Sequence, residues 1–140
     1  MSVAAVLGPS FALIALLFVL AGRLGFLRVG AIRRREVRPR DIVLGEKKWP
    51  MATIQAGNCF DNQFQLPVLF HILTGFALVT HQADLLFVIM GWLFVLSRVV
   101  HAVIHTGSND LQLRFAAFAI GTFVLAAMWI IFAVRILAAF

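Results

Sequence analysis

Four stretches of this chain, at about 3–27, 58–80, 84–106 and 112–139, are each apolar for long enough to cross a bilayer. A helix covers the hydrocarbon layer, roughly 30 Å thick, with about 20 residues. Lipid tolerates only helices or closed barrels, and no short segments alternate apolar with polar residues as barrel strands do. All four are therefore predicted to be helices. The composition leaves no soluble alternative: 140 residues that are 62% hydrophobic and 13% charged could not hide that much apolar surface in one small domain. Cys59 is the sole cysteine, which excludes an internal disulfide framework. The abundance of Phe, Leu, Ile and Val excludes disorder.

The turn Thr80-His81-Gln82-Ala83 is short, and Asp84 is placed to N-cap the helix that follows. Gly107-Ser108-Asn109-Asp110 separates the third and fourth spans. Helices joined this tightly run antiparallel. The expected fold is all-α, a single-domain integral membrane four-helix bundle of up-down-up-down order. Charge follows the first apolar stretch instead of preceding it, so that stretch reads as a span and not as a signal peptide. Pro9 is expected close to the start of its helix, where a missing N–H costs least.

The formal net charge of +6 is confined to one segment. Nine basic residues (Arg23, Arg28, Arg33, Arg34, Arg35, Arg38, Arg40, Lys47 and Lys48) face only Glu36, Asp41 and Glu46 there. Elsewhere Arg98, Arg114 and Arg135 balance Asp61, Asp84 and Asp110. The positive-inside rule puts the loop at about 28–57 in the cytoplasm, with both termini and the 80–84 turn outside. Arg135, near the outer end of the fourth span, is expected to snorkel to the interface. Topology accounts for the basic loop without a ligand, so no nucleic-acid partner is expected, although anionic lipid remains an alternative reading. Trp49-Pro50 reads as an interfacial anchor before the second span.

Polar groups inside spans are costly, and their positions point to function. Asn58, Asp61, Asn62 and Gln65 recur at helical spacing and share one face of the second span. Arg98, His101 and His105 share a face of the third. Antiparallel packing brings both faces into the same half of the membrane, where Arg114 enters at the start of the fourth span. A convergent pocket with two arginines is expected, suited to an anion through charge-assisted hydrogen bonds. Asp61 is the candidate partner for Arg98. Taken singly, Asn58 or Gln65 reads as a helix–helix hydrogen-bonding group. His101 and His105 can donate hydrogen bonds or carry protons, but no third ligand accompanies them, so no metal site is assigned. His71 lies roughly 20 Å along its span from Asn58 and cannot share a haem with His101. Cys59 reads as a packing residue.

The order and spacing of Arg98-Val-Val-His101, His105 and Arg114, after Asn62-Gln-Phe-Gln65-Leu-Pro67-Val-Leu-Phe70 and a basic first loop, resemble the MAPEG family. These are the membrane-associated proteins of eicosanoid and glutathione metabolism, and the bacterial branch often carries a close variant of the span-two string. The resemblance covers essentially the whole chain. It implies a homotrimer, placement in a bacterial inner membrane, and glutathione bound between neighbouring subunits near the cytosolic side. The activity implied is a glutathione- or thiol-dependent transferase or peroxidase acting on small lipophilic electrophiles. Residue by residue, it implies that Asn62, Gln65, Arg98 and His101 bind the cofactor, with Arg28 matching a further arginine, and that His105 and Arg114 act on the thiol. The chain departs from the pattern at Gln65, where the family has Glu, and at Asn58 and Asp61, where arginines are usual. It has no tyrosine, and His105 stands where one is common. A second register, Asn58-Cys-Phe-Asp61, restores an acid but fits the following Leu-Pro run less well. The competing expectation is a non-catalytic membrane protein of the same fold that binds a lipid or a partner protein. Ala117 and Gly121 permit close helix contact, within the subunit or between subunits.

Overall fold

The computed structural model describes residues 1–45 and 48–138. Glu46 and Lys47, in the basic segment, and Ala139 and Phe140, at the end of the expected fourth span, lie outside the described residues. The described chain folds into α1 (Val3–Arg33), α2 (Met51–Asp61), α3 (Leu66–Val79), α4 (Leu85–Thr106) and α5 (Leu111–Ala138). α1, α2 with α3, α4 and α5 make four helical rods, each long and apolar enough to cross a membrane.

The first two rods extend beyond their apolar runs. α1 opens where Ser2 accepts a hydrogen bond from the Ala5 N–H at 3.3 Å. It continues to Arg33, because arginine is a good helix former and nothing before that point breaks the turn. At 1.5 Å per residue it is about 46 Å long, so its last turns project past the hydrocarbon at the basic end. α2 likewise begins at Met51, directly after Pro50. The connection is therefore 34–50 and not the expected 28–57: hydropathy marks where lipid stops, not where the helix stops. Pro9 sits nearly two turns inside α1, not at its start. It is buried, and its ring carbons lie 3.2 and 3.4 Å from where a Cβ on Gly91 would stand, so the glycine admits the ring.

α4 is the most enclosed of the four rods. Phe70 and Leu73 of α3, Phe94 of α4, Leu125 and Met128 of α5, and Val6 and Leu13 of α1 form the core. Phe70 and Phe94 stack with centroids 5.1 Å apart. Ala117 and Gly121 are both buried, and a Cβ on Gly121 would lie 2.5 Å from Ser97 Oγ, so this small face serves contact between α5 and α4 of the same chain. Large apolar side chains such as Phe18, Phe76 and Phe123 point outwards, as a lipid-facing surface requires.

Polar ties close the two ends. Asp84 caps α4 as expected, accepting from the Phe87 N–H at 2.9 Å. Arg135, expected to snorkel, instead donates to Asp84 at 2.7 Å. At the basic end Arg23 of α1 donates to the Thr106 carbonyl at 3.0 Å, satisfying an orphan acceptor at the negative end of α4.

Candidate functional site

The second rod is broken where the site forms. Pro67 has no N–H to offer the Gln63 carbonyl, and its ring opposes a continuous helix there. The chain tightens into one 3₁₀ turn over Asn62–Phe64, passes through Gln65 at φ −103° and ψ −104°, and restarts as α3. Gln63 turns inward and donates to the Cys59 carbonyl at 3.1 Å. Asn62 and Gln65 are left facing α4 and α5 across a cleft of about 310 Å³.

The same cleft is lined by Asn58, by His101 and His105 of α4, and by Arg114 of α5. Asn62 Nδ2 lies 3.4 Å from His105 Nδ1. With the amide donating, Nδ1 accepts and the imidazole proton sits on Nε2. The two histidine rings meet edge-on with centroids 5.4 Å apart. Arg114 is aimed by the turn before it: its Nη1 donates to Asn109 Oδ1 at 2.6 Å. Asn109 is held in turn, with a φ of 53° and its N–H on the Ile104 carbonyl at 2.7 Å.

Arg98 lies one turn below His101 on α4. It is fully buried, and Nε, Nη1 and Nη2 have no hydrogen-bond partner among the described residues. Its guanidinium carbon is 5.8 Å from the ring of Phe118, which also lines the cleft. His101 Nδ1 is buried and unpartnered as well. An uncompensated buried cation costs several kcal/mol. The arrangement is therefore a donor-rich, electropositive pocket whose deepest cation still lacks an acceptor.

The structure brings together Asn62, Gln65, His101, His105 and Arg114, with Arg98 beneath them. Two expectations are corrected. Asp61 does not pair with Arg98; the turn at Asn62 directs it to a separate cleft of about 340 Å³. Arg28 also lines that second cleft, 5.4 Å from the Trp49 ring, and not the first. Asn58 borders both. Phe118 and Asn109 were missed by sequence reasoning. An aromatic on an apolar span carries no signal of its own, whereas the Asn109-Asp110 pair at a helix junction does.

Four membrane-length helices around a polar cleft at their basic end define an integral membrane four-helix bundle with a built-in anion site. The MAPEG family model matches residues 6–134, and the chain belongs to that family. No curated protein and no solved structure matches it.

Proposed function

We propose that this protein is a thiol-dependent transferase of the membrane, binding glutathione in the cleft and joining it to a lipophilic electrophile. The fully buried Arg98 with three unsatisfied nitrogens carries this reading. A ligand carboxylate is the acceptor that such a guanidinium lacks, and bidentate geometry suits it. The donor set fits the tripeptide: two arginines for its carboxylates, and the Asn62 and Gln65 amides for its peptide groups. When bound, glutathione supplies the thiol that forms the new carbon–sulfur bond.

Arg114, on the rim, favours the thiolate over the thiol by its positive charge. His105 offers its Nε2–H as a hydrogen bond to sulfur, while Asn62 holds the ring through Nδ1. Apolar side chains around the rim, Leu111 and Phe115 among them, exclude water and receive the second substrate. Arg28 is assigned to binding through the adjoining cleft, which meets the first at Asn58. We place the basic end in the cytoplasm of a bacterial inner membrane, both termini outside, and the active assembly as a homotrimer.

Purified protein mixed with glutathione at millimolar concentration should bind it and conjugate a chlorodinitrobenzene electrophile. Failure to bind, together with an Arg114→Ala variant that changes nothing, sinks the enzyme reading. The second reading, a non-catalytic lipid-binding protein, is favoured by Gln65 in place of the family's Glu and by the lack of tyrosine. It predicts a phospholipid that co-purifies with the wild type and is lost from Arg98→Met.

A further inference from the structure

The connection between α1 and α2 folds back on the bundle. Val37 is buried and fixes its start, Pro39–Asp41 form a 3₁₀ turn, and Gly45 takes a left-handed φ of 77°. Beyond that turn, Ile42, Val43 and Gly45 line the same cleft as Arg28, Trp49 and Asn58. Arg28 lies under two turns along α1 from Arg23, the residue that caps α4 where its span ends. The loop thus returns to the level at which the helices leave the membrane.

At that level stand two adjacent apolar side chains, Val43 and Leu44, 74% and 88% exposed. Arg35, Arg38 and Arg40 are exposed beside them, while Arg34 is engaged with Glu36 at 2.6 Å. Orientation by positive charge requires neither an apolar pair at the tip nor a fold-back. Phe26 and Val29 of α1 are exposed as well, so the apolar surface of the span leads up to the arm.

We propose that residues 35–45 form an interfacial arm that docks on anionic phospholipid headgroups of the protein's own membrane. Val43 and Leu44 seat at the boundary of headgroups and acyl chains, and Arg35, Arg38 and Arg40 engage lipid phosphates. Shallow apolar insertion and attraction to a negative leaflet are each weak alone and add when they share one segment. Salt weakens the second and spares the first. The proposal is independent of thiol chemistry in the cleft.

The full-length protein, carrying Cys59→Ala and Leu44→Cys with a nitroxide label, is placed in nanodiscs. Phosphatidylcholine alone is compared with a mixture of phosphatidylcholine and phosphatidylglycerol. The label should become shielded from a water-soluble relaxant and open to oxygen in the anionic membrane. Arg38→Gln with Arg40→Gln should weaken that preference by about fivefold per arginine, and salt should do the same. A label at Thr80→Cys, at the far end, should not respond. Three results overturn the proposal: a label in water in both membranes, a label equally shielded with and without anionic lipid, or spin–spin broadening that shows a second copy covering the arm.

Discussion

Arg135 Nη2 lies 2.7 Å from Asp84 Oδ2, tying the last turn of α5 to the residue that starts α4. Its Nη1 also reaches the Gln82 carbonyl at 3.4 Å. The Arg135 hydrogen bond, and after it the Phe87 N–H, hold the Asp84 carboxyl below the usual range. Both side chains are partly exposed, at 33% and 47%, so the pair contributes under about 1 kcal/mol. That contribution is complete above the unfolded pKa of about 3.9 and fades as pH falls through the lower folded value. Arg135→Gln should lower thermal stability in detergent slightly at neutral pH. The gap to wild type should close in strongly acidic buffer.

The closest approach of α4 and α5 predicts a larger effect. A methyl at position 121 would lie 2.5 Å from Ser97 Oγ, which is held by a 2.7 Å bond to the Phe94 carbonyl. Gly121→Ala should destabilise the bundle by about 1–3 kcal/mol through overpacking. Adding Ser97→Ala removes the clashing oxygen, and the remaining 3.5 Å contact with Cβ is ordinary. The double variant should therefore recover most of the loss in thermal unfolding. A double variant as weak as the single one would show that the strain lies elsewhere.

Much of the bundle was legible because lipid imposes one rule on every span: apolar outside, backbone bonded within. Asp84 as a cap and the convergence of Asn62, His101, His105 and Arg114 followed from helical spacing and antiparallel order. Spacing failed where the helix itself did. A continuous helix would have kept Asp61 on the face of Asn62 and Gln65, but the break before Pro67 sends it to the neighbouring cleft. The ends of α1 and α2 escaped for a different reason, since charged residues continue a helix in water as readily as apolar ones do in lipid. Arg98 was expected to find an acid, and burial without any partner is visible only once the neighbours are placed.

That solitary cation separates stability from function. Arg98→Met removes a buried charge with no hydrogen-bond partner and leaves an apolar side chain of similar volume. The ligand-free variant should unfold at the same temperature as wild type or higher. Glutathione should raise the unfolding temperature of the wild type by mass action and leave that of the variant unchanged. A variant that is less stable without ligand would mean that Arg98 already has a partner in the folded protein.

Asn109 isolates the aim of Arg114 from its charge. The residue sits at φ 53°, a conformation glycine adopts freely, and its side-chain oxygen accepts from Arg114 at 2.6 Å. Asn109→Gly should keep the turn and the thermal stability while releasing the guanidinium. A charge-assisted hydrogen bond of this kind is worth about 1.5–3 kcal/mol, so kcat/KM for thiol conjugation should fall roughly tenfold or more. Asn109→Asp supplies a stronger acceptor in the same place and should restore most of the rate. Asn109→Ala keeps neither the acceptor nor an easy left-handed backbone, so it should lose stability as well as rate. Equal turnover in Asn109→Gly and wild type would show that Arg114 needs no holder and that its role in the cleft is charge alone.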